Sequence, residues 1–76
     1  MPHVIVKLWT GKSERQKARL AEEVTKAVMA STGYGEASVS VSLEEFEPGE
    51  WTEKVYEPDI INGRGKLYKK LGYGPR

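Results

Sequence analysis

The first apolar segment of the chain is a short run of β-branched and aromatic residues. Residues 3–9 read HVIVKLW, with Val4, Val6 and Leu8 on one face of an extended strand. The other face also carries apolar side chains, and a strand that is covered on both sides has this pattern. We therefore predict a β-strand over residues 3–9. Pro2 is compatible with its first position, because the missing N–H need not join the ladder.

A short TGK turn leads from this strand into the clearest helical pattern of the sequence. The following SERQ fits a capping box, in which the Ser13 hydroxyl accepts from the backbone of Gln16 and Gln16 reaches back. Apolar residues then recur at steps of three and four, which predicts an amphipathic helix. It should end around Ser31 or Thr32, just before Gly33. The stripe expected to face the core is Lys17, Leu20, Ala21, Val24, Ala27 and Val28.

Serine and apolar residues alternate in the next segment, ASVSVSL at residues 37–43, which predicts a strand with one apolar face. Two strands joined by a crossover helix of about twenty residues form a right-handed β-α-β unit with parallel strands. The pattern then weakens and predicts only short helices near 50–56 and 66–71. The predicted fold class is α/β, a single β-α-β unit with short C-terminal elements, in one domain over residues 1–76.

Two strands and one helix cannot close a core by themselves. One face of the predicted sheet, with Ile5, Trp9 and the serines of the second strand, stays uncovered, and isolated two-stranded sheets are marginal. Parallel edges also expose unpaired N–H and C=O groups. A symmetric partner that extends the sheet and covers its open face resolves both problems. We predict a homo-oligomer, with a dimer favoured and a hexamer as the other option.

Composition excludes several classes of site. The chain has no cysteine and one histidine, so it has no disulfide or thiolate metal site, and a metal site made only of protein ligands is disfavoured. No apolar stretch approaches the ~20 residues of a membrane span, and no signal-peptide pattern precedes the first strand. We therefore expect a cytoplasmic protein that does not enter a membrane.

The net charge of +1 conceals two segments of opposite sign. Glu44 to Asp59 holds seven acids and one lysine, whereas Arg64 to Arg76 holds five bases and no acid. A small oligomeric binding module that contacts nucleic acid through these bases is the alternative function. We favour solvated bases, or bases paired with the acidic segment within one subunit or across an interface, because the field of the whole chain is weak.

The order and spacing of these features resemble the 4-oxalocrotonate tautomerase family over about residues 2–51. The matching elements are Pro2, GKSERQK (11–17), VSVSL (39–43) and EPGEW (47–51). The C-terminal KKLGYG (69–74), together with the initial MPH and the P-x-x-W spacing, looks most like the dimeric branch associated with phenylpyruvate tautomerisation.

The resemblance implies a keto–enol tautomerase that needs no cofactor. The amino-terminal proline of the family, matched by Pro2, is a general base that moves a proton between an enol oxygen and the carbon two atoms away. Lys12 matches a basic residue that binds a substrate carboxylate, and Trp51 matches an aromatic that keeps the proline amine neutral. Ser40 stands where the best-known members carry a further arginine, which argues against dicarboxylate substrates. Its hydroxyl could donate to a bound carboxylate or carbonyl.

The chemistry expected of Pro2 also has a physical basis. An ordinary α-amino group has a pKa of about 7.7–8.0. Burial beside an aromatic ring disfavours its charged form, and a nearby cation does the same while stabilising an enolate. A general base works best with its pKa near the operating pH. The expected substrate is a small 2-hydroxydienoate or arylenolpyruvate, although hydration or decarboxylation could use the same base.

Two residues beside Pro2 bear on this hypothesis. With Met1 attached, the Pro2 nitrogen is a tertiary amide without a basic lone pair, so we expect the active protein to have lost the methionine. His3 is interpreted as a structural strand residue rather than as an acid.

Overall fold

The computed structural model describes residues 1–72 and contains the predicted β-α-β unit. Strand β1 covers His3–Trp9, helix α1 covers Glu14–Thr32 and strand β2 covers Ser40–Phe46. The two strands are parallel, and their register runs from His3 opposite Ser40 to Trp9 opposite Phe46. The α/β fold class and the bounds of the first strand are therefore confirmed.

Both ends of α1 are set by the predicted local signals. The Ser13 hydroxyl accepts from the Gln16 N–H at 3.1 Å, while the Gln16 side chain accepts from the Ser13 N–H at 2.9 Å. Gly33 ends the helix with a φ of 82°, and its N–H donates to the Met29 carbonyl at 3.0 Å. Glycine suits this left-handed position because it has no Cβ to clash with the backbone.

The buried stripe of α1 differs from the predicted one at its edge. Ala27 is exposed, whereas Thr25 and Met29 are half-buried. The other predicted members are half-buried as expected: Lys17, Leu20, Ala21, Val24 and Val28. A helix buries a broad stripe of its surface against a sheet. In α1 this buried stripe is displaced slightly around the helix from the stripe that the apolar residues alone indicate.

Strand β2 begins and ends later than the predicted segment 37–43. Residues Glu36–Ser38 form a short 3₁₀ turn, and the Val39 N–H donates to the Glu36 carbonyl at 3.1 Å. The strand then continues through Glu45 to Phe46 because β1 supplies ladder partners as far as Trp9. Alternation identifies the two faces of a strand, but pairing with its neighbour determines where it ends.

The C-terminal part differs more from the prediction. After a 3₁₀ turn at Pro48–Glu50, a π-helix covers Thr52–Ile61, where a shorter helix was expected. The helix predicted near 66–71 is absent from the described structure, in which residues 62–72 are bends and irregular chain. A helix this short needs tertiary packing to form, and Leu67 and Leu71 remain 43% and 39% exposed.

The core of one protomer is very small. Val55 of the π-helix is the one apolar residue among residues 1–72 that is buried, at 4% exposure. Helix α1 covers one face of the sheet, where the side chains are half-buried, whereas Ile5 and Trp9 on the other face are 51% and 44% exposed. Within this part of the chain, no helix combines the length and apolar character needed to cross a bilayer.

Candidate active site

The amino end of the sheet brings together Pro2, His3 and Ser40. Pro2 is half-buried directly before β1, and its carbonyl accepts from the Ser40 N–H at 3.2 Å. The His3 Nδ1 atom lies 2.7 Å from the Ser40 Oγ atom, and both side chains are exposed. Two of the predicted site residues, Pro2 and Ser40, are therefore neighbours in the fold although 38 positions separate them in the sequence.

The opposite, carboxyl end of the sheet carries the other two predicted site residues. The rings of Trp51 and Phe46 meet edge to face, with centroids 6.3 Å apart and planes at 80°. Phe46 is the last residue of β2 and pairs with Trp9, the last residue of β1. Lys12 is exposed in the turn that follows β1. An aromatic surface and a lysine thus lie at this end.

The length of the strands separates these two groups within one protomer. A strand of seven residues spans about 20 Å. Pro2 and Ser40 lie at the start of the paired strands, whereas Lys12 and Trp51 follow their ends. One chain alone therefore does not bring its own Lys12 and Trp51 beside its own Pro2.

The middle of the open face holds a charged contact that sequence reasoning missed. The Lys7 ammonium hydrogen-bonds the Asp59 carboxylate of the π-helix, lies 4.0 Å from Glu44 and stands 6.0 Å from the Phe46 ring centroid. The hydrogen bond to Asp59 is the main reason why the pKa of Lys7 is raised above its ordinary value. The sequence feature that could have indicated this contact is Lys7 itself, a charged residue among the apolar residues of β1. Lys7 is consequently neutralised by carboxylates of its own chain.

The ion pairs also bear on the basic C-terminal segment. Acids of the segment from Glu44 to Asp59 pair with lysines of β1 and α1 or with the segment's own Lys54, as in Lys17–Glu45 at 2.9 Å and Lys54–Glu50 at 2.6 Å. Among residues 1–72, no ion pair joins these acids to the described bases of the C-terminal segment. Those bases are Arg64, Lys66, Lys69 and Lys70; Arg76 and the end of KKLGYG lie outside the described residues.

Several known proteins similar to this chain are described as tautomerases or as tautomerase homologues. A family model described as tautomerase enzyme matches residues 2–54. A probable tautomerase of Xylella fastidiosa (strain 9a5c) is 38% identical over 74 residues, which cover 97% of this chain and 90% of the relative. None of these descriptions mentions nucleic acid, so the alternative function gains no support from them.

Solved structures agree with this assignment. YwhB, a homologue of 4-oxalocrotonate tautomerase, matches with 40% identity and a TM-score of 0.61, covering 62% of this chain and 77% of YwhB. A heterohexamer 4-oxalocrotonate tautomerase from Chloroflexus aurantiacus J-10-fl matches with 30% identity and a TM-score of 0.66, covering 71% of this chain and 87% of that one. This chain therefore belongs to the tautomerase family, in the group of 4-oxalocrotonate tautomerase and its homologues.

Proposed function

We propose that this protein is a cofactor-independent keto–enol tautomerase whose general base is the amino group of Pro2. The observation that carries the proposal is the family match, which begins at Pro2 itself. The position of Pro2 supports it, because a half-buried residue at the start of β1 can combine restricted solvation with access to a small molecule. Restricted solvation favours the neutral form of an amine, which is the form that accepts a proton.

The proposed reaction moves one proton and needs no other reactant. The Pro2 nitrogen takes the proton of the enol hydroxyl, so an O–H bond breaks and an N–H bond forms. The oxygen electrons form the carbonyl, and the electrons of the carbon–carbon double bond then take the proton from nitrogen at the carbon two atoms from the oxygen. Pro2 ends as a neutral amine, and the substrate has been isomerised. The step requires that Met1 be absent, because an amide nitrogen has no basic lone pair.

A second protomer would complete this site. Lys12 and Trp51 can act on a substrate held at Pro2 only if they come from another protomer. The carboxyl end of that protomer's sheet must then lie beside the amino end of the sheet that carries Pro2. The exposed Ile5 and Trp9 on the open face favour such a partner, because burying them removes apolar surface from water. The proposed assembly is a homodimer of the phenylpyruvate tautomerase-like branch, with a hexamer as the alternative.

The substrate that fits best is an enol acid with one carboxylate and an apolar body. At the amino end of the sheet, Ser40 offers a neutral hydroxyl. Lys7, in the middle of the open face, is already bound to Asp59 and lies near Glu44. Lys12 is then the cation proposed for the single carboxylate, while Trp51 provides apolar surface. A second carboxylate would lose solvation without gaining a fixed cation. This argument favours arylenolpyruvates and 2-hydroxydienoates with a single carboxylate over dicarboxylates.

The test is a comparison of substrates and of amino termini. Ultraviolet absorbance would measure the conversion of each substrate in a panel of mono- and dicarboxylate 2-hydroxydienoates and arylenolpyruvates. Intact-mass measurement would establish whether Met1 is present in each protein sample. We expect turnover by protein that begins at Pro2, and almost none by homogeneous protein that retains Met1. Pro2→Ala should lower kcat substantially without abolishing it, because a primary amine remains. Equal turnover by the Met1-retaining protein would show that Pro2 is not the base.

A further inference from the structure

The hydrogen bond between the His3 and Ser40 side chains has no role in the proton transfer described above. His3 Nδ1 lies 2.7 Å from Ser40 Oγ, and the two residues are direct partners in the parallel ladder. The same serine donates its backbone N–H to the Pro2 carbonyl at 3.2 Å. The His3–Ser40 pair is therefore held by backbone pairing on both strands, one residue away from the proposed base.

The direction of this hydrogen bond determines what Ser40 can offer a ligand. A serine hydroxyl has one hydrogen to donate, and it can accept as well. If Ser40 donates to His3, no hydroxyl hydrogen remains for a bound anion. If His3 Nδ1–H donates to Ser40 Oγ, the hydroxyl hydrogen is free, and each hydrogen bond of the resulting chain strengthens the next. A carboxylate only accepts hydrogen bonds, so its binding selects this second arrangement.

Within one protomer, His3 is the basic side chain of this face that can bind and orient the Ser40 hydroxyl. Lys7, the other basic side chain on the same face of β1, is bound to Asp59 and lies near Glu44. It also lies four residues, or about 13 Å, further along the strand. Ile5 follows His3 on this face and belongs to the apolar surface that the proposed partner covers. His3 is thus the basic side chain of this face that can orient Ser40.

We propose that His3 is a positioning residue for substrate recognition. Its Nδ1–H donates to Ser40 Oγ and thereby directs the Ser40 hydroxyl hydrogen towards the carboxylate of the substrate. This inference rests on the proposed tautomerase function and deepens it by naming the group that orients Ser40. His3 does not move the reacting proton, so its loss should weaken binding and leave the chemical step intact.

A matched pair of substitutions isolates the hydrogen bond. His3→Leu removes the donor, whereas His3→Asn keeps a donor, because the Asn Nδ2 atom replaces Nδ1 at a similar distance from the backbone. With an arylenolpyruvate as substrate, His3→Leu and Ser40→Ala should each raise KM about tenfold, as expected for a lost hydrogen bond. Their kcat should stay within about threefold of the parent value, and His3→Asn should keep the parent KM. The double variant should be no worse than Ser40→Ala alone, because His3 acts on the substrate only through the Ser40 hydroxyl.

Several outcomes would overturn the proposal. These are an unchanged KM in folded His3→Leu protein, a defect in kcat instead of KM, a His3→Asn variant as impaired as His3→Leu, or additive effects in the double variant. Circular dichroism and sedimentation establish that each variant is folded and assembled. An unmoved KM in His3→Leu alongside an active parent overturns only the role of His3. A parent protein that turns over none of the substrate panel overturns the proposed function and this inference together.

Discussion

At the scale of single residues, the proposed role of Lys12 can be tested by one substitution. It is an exposed lysine in the turn after β1 and the cation proposed for the substrate carboxylate. Lys12→Ala should lower kcat/KM by about tenfold or more, because losing a hydrogen bond to a charged group costs roughly 1.5–3 kcal/mol. Steady-state kinetics with an arylenolpyruvate measures the effect. Arg15→Ala removes a nearby exposed cation and should leave kcat/KM unchanged. If Lys12→Ala does the same, another cation, such as Arg64 or Lys66, binds the carboxylate.

At the scale of elements, the Lys7–Asp59 contact joins β1 to the π-helix. Because Asp59 raises the pKa of Lys7, the contact stabilises the fold fully below the ordinary lysine pKa of 10.5. The stabilisation is lost as pH rises through the folded-state pKa, where Lys7 loses its charge. Asp59→Asn should therefore lower Tm modestly at neutral pH. The difference in Tm from the parent protein should shrink in alkaline buffer and in high salt.

The control for this experiment is another acid of the same helix. Glu57→Gln removes an equal charge from the π-helix, and no ion pair in the described part of the chain involves the Glu57 side chain. Thermal unfolding followed by circular dichroism, from neutral to strongly alkaline pH, compares the two variants. If Asp59→Asn and Glu57→Gln have the same pH dependence, the Lys7–Asp59 contact does not anchor the helix.

At the scale of the whole molecule, the protomer lacks the core that a stable domain of this size needs. A single buried apolar residue among the described residues and an open sheet face imply that association supplies the missing burial. Sedimentation at micromolar concentration should show a dimer or a larger assembly. Ile5→Lys should weaken that assembly and lower activity with it, because it places a charge on the open face. A protomer that remains monomeric and folded on dilution would contradict this argument.

Ala30→Lys provides the matched control for the assembly experiment. It adds the same charge at an exposed position of α1, away from the open face of the sheet. This variant should keep the parent sedimentation coefficient and the parent kcat/KM. If Ala30→Lys dissociates the assembly as strongly as Ile5→Lys does, the interface does not lie on the open face.

Local patterns in the sequence were sufficient to predict the β-α-β unit. The bounds of β1, the capping box at Ser13 and the end of α1 before Gly33 all agree with the structure. Each of these features depends on residues that are close together in the sequence. Hydrophobic periodicity, helix capping and the preference of glycine for left-handed backbone therefore indicate these features directly. The family could be recognised for a related reason, because its matching residues form short continuous segments of the sequence: Pro2, 11–17, 39–43 and 47–51.

Only the tertiary structure decided where the candidate site residues lie relative to one another. The His3–Ser40 contact spans 37 positions, and the Lys7–Asp59 contact spans 52. No local periodicity encodes either contact. The register of the parallel strands determines the ends of β2, places Ser40 beside Pro2, and separates both from Trp51 by the length of the sheet. Strand pairing is a long-range property, because it depends on how two distant segments bury their faces against one helix.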